Sequence, residues 1–275
     1  MFVARPARSR SLSAFALIGA LVLAGLAGCR SGPDNLEDRQ SDPQIIYDRA
    51  RKALSGQDFN TAIRLYEALT ARYPFAESSR QARLDLIYAY YKSREKESAI
   101  DAAETFIREN PTHPRVDYAW YIKGLVDFER TPNALERFFD VDLTERPPQT
   151  ARKAFAAFRT VVEQYPKSEY AHDARRRMVY LRNRLADYEL NVARYYIKRE
   201  AFVAAAQRAK QTIEQYDGAP AVREALEIMI VSYDRLKLGE LAAQTRAVYK
   251  ENFNEEPFAP GERPSKGGAW WKPWS

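Results

Sequence analysis

From Ile45 to Phe253, apolar residues recur at steps of three and four, with Arg, Glu, Gln and Lys between them and few glycines. That spacing lays an apolar stripe along one face of a helix and predicts helix almost throughout. No run alternates apolar and polar residues as a half-buried strand does, and no Asn-Gly or Asp-Gly pair sits between strand-like runs. Residues 170–199 hold neither Gly nor Pro, so one long helix, straight or bent, is expected there. The helical domain is placed at 44–254. Before it, residues 29–43 are polar, with Gly32, Pro33, Asp34, Asn35 and Asp38, and read as a flexible tether. After it, residues 255–275 carry Pro257, Pro260, Gly261, Pro264, Gly267, Gly268 and Pro273, a composition that cannot support a core and is expected to be disordered. Trp270, Trp271 and Trp274 lie in that tail, suited to a partner, to a lipid interface or to neither.

One phrase recurs within the helical region. Ala62, Ala99 and Ala154 each stand 12 residues before a proline, at Pro74, Pro111 and Pro166. Ala205 and Ala242 keep the spacing of 12, to Asp217 and Asn254, without the proline. An alanine marks a close helix–helix approach. A proline ends a helix because it lacks an N–H and disfavours helix in the residue before it. Upstream, Trp120 and Gly124 keep a Trp-x-x-x-Gly spacing. Ala193 and Tyr196 lie 12 and 9 residues before Ala205, Leu86 and Tyr90 lie 13 and 9 before Ala99, and Tyr233 lies 9 before Ala242. These are positions of the tetratricopeptide consensus, and self-similarity of this period means a stacked repeat. The expected fold class is therefore all-α, a tetratricopeptide-repeat superhelix of five helical hairpins. The Ala-to-Ala intervals are 37, 55, 51 and 37. The first excess is an insertion in repeat three, between Phe128 and Gln149. The second is the long helix leading into repeat four.

The first 28 residues read differently. Arg5, Arg8 and Arg10 form a basic start, and Leu12 to Ala27 form an uncharged apolar run of about 16 residues, short for a spanning helix. The run ends in Leu26-Ala27-Gly28-Cys29, which has the form of a bacterial lipobox. Residues 1–28 are then a lipoprotein signal peptide, and Cys29 is the lipidated N-terminus of the mature chain. A retained single-pass anchor is the alternative. Arg30, rather than Asp, after the Cys favours the outer membrane by the bacterial sorting rule. A diacylglyceryl group and an amide-linked acyl chain exceed the two signals that stable anchoring needs. Cys29 is the only cysteine, so no disulfide is available and stability must come from packing. Removing the signal takes away three arginines and no acids, lowering the formal charge from +6 to +3. A charge of +3 over about 247 residues does not point to nucleic acid.

Several stretches resemble the BamD family, lipoproteins of the outer-membrane β-barrel assembly machine. They are Arg72-Tyr73-Pro74-Phe75; Leu84-Asp85-Leu86-Ile87-Tyr88-Ala89-Tyr90-Tyr91-Lys92; Asn110-Pro111-Thr112-His113-Pro114; Phe138-Phe139 with Val141-Asp142; and Arg184-Leu185-Ala186 with Tyr188-Glu189. The resemblance covers about residues 43–250 and implies a lipid-anchored scaffold at the outer membrane, facing the periplasm. Its implied partners are the periplasmic domains of BamA, other subunits of the BAM complex, unfolded β-barrel outer-membrane proteins and, through acylated Cys29, outer-membrane lipid. A different lipid-anchored tetratricopeptide adaptor, in cell-wall or division complexes, is the competing reading.

The resemblance also suggests sites. An Arg on the second helix of the family's fourth repeat pairs with BamA, and Arg208 holds the matching place; a solvated helical Arg is the plainer reading. The family's proposed client signal is a C-terminal aromatic strand, which suits a groove with aromatic walls and cationic rims. Tyr66, Tyr73, Tyr88, Tyr118 and Tyr121 are available to such walls. Tyr90 and Trp120 hold consensus packing positions and are expected in the core. Phe75 and Tyr91 are off-consensus, and either core or groove suits them. Phe138 and Phe139 are candidates for a partner contact, although one of them could plug the core instead.

Nothing in the chain reads as an enzyme. The two histidines, His113 and His172, accompany no nucleophile motif and no phosphate-binding Gly loop. Asp140 and Asp142 imitate the start of a calcium loop, but the Gly and Glu of that loop do not follow. No cofactor or metal is expected.

Overall fold

The computed structural model describes residues 42–130 and 148–257. Among these residues the fold is all-helical, consistent with a tetratricopeptide-like superhelix, and no strand occurs. The helices are α1 (Pro43–Ser55), α2 (Phe59–Arg72), α3 (Glu77–Ser93), α4 (Lys96–Glu109) and α5 (Val116–Arg130), then α6 (Gln149–Gln164), α7 (Ala171–Lys198), α8 (Phe202–Gln215), α9 (Ala221–Arg235) and α10 (Gly239–Phe253). Each packs against the next, and α1 also touches α3, α3 touches α5, and α7 touches α9. The odd-numbered helices thus form one layer and the even-numbered helices another. Cys29, Phe138, Phe139 and residues 258–275 lie outside the described residues.

Local chemistry sets the helix ends. Pro43, the last residue of the expected tether, opens α1, where its missing N–H costs nothing. Asp42 caps the same end, its Oδ1 accepting the Gln44 N–H at 2.8 Å. Asp58 caps α2 by accepting the Thr61 N–H at 3.1 Å. At the far ends of α2, α4 and α6, Tyr73, Asn110 and Tyr165 leave the helix at φ −128°, −132° and −126°. Each precedes a proline, which disfavours helix in the residue before it. Tyr216 adopts φ −129° as well, although Asp217 follows it. Here the proline's work falls to Arg182 of α7, whose Nη1 and Nη2 donate to the carbonyls of Asp217 and Gly218, both at 3.0 Å. Gly218 takes φ +71°, a left-handed conformation that glycine adopts without strain.

The turns inside the hairpins repeat one construction that the sequence does not advertise. Gln57, Arg94, Glu200 and Lys237 are left-handed, at φ 62°, 67°, 58° and 59°. In each case the next residue's N–H closes the helix end, Asp58 to Ala53, Glu95 to Tyr90, Ala201 to Tyr196 and Leu238 to Tyr233, at 2.9–3.0 Å. Each left-handed residue lies 5 positions before one of the spaced alanines, at Ala62, Ala99, Ala205 and Ala242. Those four and Ala154 all have 0% exposure.

Most of the core is continuous from α3 to α9, with Leu84, Phe106, Phe158, Leu181 and Ile228 among its buried members. A smaller cluster joins α1, α2 and the start of α3 around Tyr66 and Leu69, and a third lies between α9 and α10 around Tyr249. The long helix α7 spans 28 residues and packs on α6, α8 and α9, so it links the earlier helices to the later ones. Among the described glycines, Gly124 of α5 is the most tightly packed. A Cβ there would lie 2.6 Å from Cε1 of Phe158, a ring with 0% exposure. Gly124→Ala should therefore destabilise the fold by about 1–3 kcal/mol, the usual cost of overpacking a core. Urea unfolding checks this; a lower midpoint is expected, and an unchanged one would show that the α5–α6 contact has slack.

Candidate binding surfaces

The odd-numbered helices are tied to one another through carboxylates. Tyr47 of α1 donates its hydroxyl to Asp85 Oδ2 of α3 at 2.8 Å, and Tyr66 reaches the same oxygen at 3.2 Å. Tyr91 of α3 donates to Glu129 Oε1 of α5 at 2.5 Å. Tyr121 of α5 donates to Asp173 Oδ2 of α7 at 2.7 Å. Between α7 and α9 the donor is Arg194, whose Nε and Nη2 grip both oxygens of Glu224 at 2.7 and 2.6 Å. A two-pronged guanidinium–carboxylate pair fixes orientation as well as distance.

Burial, and then the hydrogen bond to its acid, pushes the hydroxyl pKa of Tyr47, Tyr91 and Tyr121 upward, that of Tyr121 to about 12. Burial alone would raise Asp173, but hydrogen bonds from Arg177, Tyr121 and Arg176 hold it below the usual carboxylate range. The Tyr121–Asp173 tie joins α5 to α7, and the stacked Tyr121 and Tyr170 rings, 4.6 Å between centroids, reinforce it.

An ion cluster at the junction of α6, α7 and α8 binds three helices at once. Glu189 of α7 has 0% exposure. One of its oxygens accepts from Arg152 Nη2 of α6 at 3.0 Å, the other from Arg208 Nη1 of α8 at 2.9 Å. A buried carboxylate needs such partners, because removing a charge from water is costly unless it is paired. Arg208 is thus no freely solvated helical side chain. Its inner edge is held by Glu189, and Gln211 Oε1 lies 3.4 Å from the same nitrogen. Its side chain is still 39% exposed.

The expected groove residues fall apart in space. Phe75 lies in the α2–α3 connector and is 95% exposed, so it is not a core ring. Tyr91 is half-buried near the far end of α3, packed on the main core. Fifteen or so residues of helix separate them, about 20 Å at 1.5 Å per residue, too far for one subsite. Tyr90 and Trp120 pack on the core, as their consensus positions imply. Tyr90 also donates to Glu67 at 2.5 Å. Tyr88 and Tyr118 do face a shared hollow between α3 and α5. It has a volume of about 210 Å³ and is completed by Gln81, Leu84, Asp85 and Arg115. Arg115 sits 5.3 Å from the Tyr118 ring centroid, so aromatic wall and cationic rim meet there.

Sequence reasoning did not identify Glu189, Arg152, Arg194 and Glu224. For Glu189 a signal was present: Leu181, Leu185, Glu189 and Ala193 recur at steps of four, so the acid stands in an apolar stripe. His113 accepts the Arg115 N–H at 3.1 Å within its turn and meets the edge of Phe106, a structural use. Among the described residues no three His, Cys, Asp or Glu side chains gather as metal ligands. No described helix is long and apolar enough to cross a membrane.

The class of protein is thus an all-helical, tetratricopeptide-like stack whose charged side chains tie helix to helix and leave shallow, mixed-polarity hollows. Residues 39–248 match the YfiO family, described as Outer membrane lipoprotein. The chain is 41% identical to Outer membrane protein assembly factor BamD of Neisseria gonorrhoeae over 229 residues, 83% of this chain and 86% of that one. It is 39% identical to the BamD of Vibrio cholerae over 236 residues, 86% and 97% of the two chains, and 35% identical to that of Pasteurella multocida over 257 residues, 94% and 97%. Its likeness to the crystal structure of MamA protein is slight, with 18% identity and a TM-score of 0.33 over 77% of this chain and 92% of that one. The chain belongs to the BamD family of outer membrane lipoproteins.

The sign of the pH effect at Tyr121 follows from its raised pKa. The tie contributes fully below the ordinary tyrosine value near 10 and is lost as pH rises toward about 12. Asp173 works in the other direction: its contribution is present above the usual carboxylate range and is lost as pH falls through its lowered value. Tyr121→Phe keeps the ring and removes one donor, and should cost about 1–2 kcal/mol near neutral pH. Denaturation midpoints of the two proteins should converge between pH 10 and 12. A constant gap across that range would mean that the hydroxyl acts otherwise than through Asp173.

Proposed function

We propose that this protein is a lipid-anchored periplasmic scaffold of the β-barrel assembly machinery, which binds BamA and assists the folding and insertion of β-barrel proteins into the outer membrane. The observation that carries the reading is the extent of the relationship: 41% identity over 83% of the chain to a protein named as an outer membrane protein assembly factor. The reading has five tetratricopeptide-type hairpins, α1–α2 through α9–α10, with the insertion between Phe128 and Gln149 in the third. Residues 1–28 are removed as a signal peptide, and Cys29 carries the lipid that holds the scaffold at the inner leaflet of the outer membrane. Its work is binding and positioning, without catalysis. Clients and other subunits of the complex engage the helical surfaces, and the hollow at Tyr88, Tyr118 and Arg115 suits an extended aromatic segment better than Phe75 and Tyr91 together do. Phe138 and Phe139 remain assigned to a partner contact.

Arg208 is the residue assigned to BamA. Its inner edge is fixed by Glu189, so the exposed remainder is presented in one orientation, which lowers the entropy lost when a carboxylate of a partner docks. Arg208→Glu is a poor test, because a new acid beside buried Glu189 would threaten the fold. Arg208→Lys keeps the positive charge and loses the planar fork. It should retain a near-native melting temperature while recovery of BamA from solubilised membranes drops several-fold. Arg152→Lys, which alters the same buried cluster from its other side, should leave recovery unchanged. Equal losses in the two variants, or none in either, would remove Arg208 from the interface. For the anchor, mass spectrometry of the mature chain should show an acylated N-terminal Cys29 without residues 1–28, and an unacylated N-terminus would contradict the lipoprotein reading.

A further inference from the structure

The turns inside the hairpins change character along the stack. The cap residue at the start of α2, α4, α8 and α10 stands 4 positions before the buried alanine, as Asp58, Glu95, Ala201 and Leu238. Asp58 accepts a backbone N–H there. Leu238 makes no side-chain cap and is 43% exposed, so α10 forgoes the stabilisation that Ser, Thr, Asp or Asn would contribute. Two positions before the same alanines stand Asn60, Glu97, Val203 and Glu240, and Val203 is 69% exposed. Tyr195, in the last turn of α7, is 50% exposed. The α7–α8 and α9–α10 turns lie side by side, since the Arg235 guanidinium sits 5.7 Å from the Phe202 ring centroid. Lys198, Arg199, Arg235 and Lys237 are exposed around them. Of the acids nearby, Asp234 is paired with Arg246, which leaves Glu200 and Glu240. The other ends of α8 and α10 are acidic, with Glu214, Asp217, Glu251 and Glu255. A cation in the last turn complements the helix dipole, which accounts for Lys198 and Arg235. It accounts neither for Arg199 and Lys237, which stand past the helix ends, nor for the apolar side chains among them.

We propose that these two turns rest on the surface of an anionic phospholipid bilayer. Tyr195, Val203 and Leu238 enter the boundary between headgroups and acyl chains, and the four cations meet lipid phosphates. Charge complementarity favours this occupant over a protein. Lysine is depleted at protein–protein interfaces, whereas basic side chains set beside exposed apolar ones are what an anionic membrane surface holds. The Arg199 guanidinium stacks 4.9 Å from the Tyr195 ring centroid, so the ring can lie in the interface while the cation stays at phosphate level. Both segments are connectors at helix ends, which present tips to a flat surface rather than a groove to a peptide. The proposal rests on the lipid-anchored reading in one respect: for a tethered chain a weak contact suffices, and it sets which end of the stack faces the bilayer rather than whether the protein is held there.

A fluorophore beside Leu238 tests this. Gly239→Cys places a thiol where a Cβ meets nothing within 4 Å, and Glu251→Cys places one near the other end of α10 as a control. Each full-length protein, purified from membranes, is labelled with nitrobenzoxadiazole and mixed with phosphatidylcholine vesicles with and without phosphatidylglycerol. The unaltered protein, treated in parallel, supplies any background from Cys29. Emission at position 239 should shift to the blue and be quenched by nitroxide-bearing lipid when phosphatidylglycerol is present, while position 251 stays water-like. Arg199→Gln and Lys237→Gln, with helix content confirmed by circular dichroism, should each weaken that response about fivefold, the effect of one basic side chain at an anionic surface. Flotation with phosphatidylcholine alone reports the acyl anchor separately: a chain that does not float removes the anchor reading, while the label at 239 still reads the surface contact. Water-like emission at 239 on anionic vesicles overturns the proposal. So does a response equal in the two vesicle types, equal at the two positions or insensitive to both substitutions. Shielding that appears only after other subunits of the complex are added also overturns it, and places an acidic protein surface on these turns instead.

Discussion

Five alanines of zero exposure set the distance between the two helical layers. Ala62, Ala99, Ala154, Ala205 and Ala242 each lie fully buried on an even-numbered helix, against its neighbours. Close packing at interior density leaves no freedom to enlarge that side chain without moving a helix. In four cases the left-handed turn residue lies at the same offset upstream, so the turn fixes which face of the even-numbered helix arrives at the contact. Gly124 against Phe158 shows how close the approach becomes where the sequence supplies no Cβ at all.

With layer spacing set by small residues, stacking along the odd-numbered layer is specified by polar ties. Apolar faces alone are permissive about sliding. A tyrosine or arginine that must meet one carboxylate is not, and where the acid is buried, as Glu189 and Glu224 are, loss of its donors is costly. Tyr47–Asp85, Tyr91–Glu129, Tyr121–Asp173 and Arg194–Glu224 connect each odd-numbered helix to the next, and Arg152–Glu189–Arg208 ties α6, α7 and α8. These ties hold arginines and tyrosines of the surface at defined places. They also show why a partly exposed side chain such as Arg208 cannot be varied without regard to the fold behind it.

Much of the architecture was legible in the chain. The spacing of 12 from Ala to Pro, the absence of Gly and Pro over 170–199 and the three- and four-residue periodicity all correspond to helices in the structure. The turns were not legible, because Gln57, Arg94, Glu200 and Lys237 occupy conformations for which glycine is the usual marker. The α8 terminus was obscured for a related reason: Arg182, 35 residues upstream, does what a proline does elsewhere. Among site residues, Arg208 was reached through resemblance, but its attachment to Glu189 depends on a neighbour 19 residues away in sequence. Phe75 and Tyr91 shared an aromatic character and not a location. Sequence composition signals that aromatics are plentiful, while tertiary packing decides which of them share a hollow.

The proposed role in β-barrel assembly, rather than in another envelope process, is decided by quantifying outer-membrane proteins after depletion of the protein in its own cells. β-Barrel proteins should fall together in the outer-membrane fraction before growth stops, while peptidoglycan composition stays unchanged. Normal barrel levels accompanied by a cell-wall or division defect would contradict it and favour an adaptor in those complexes.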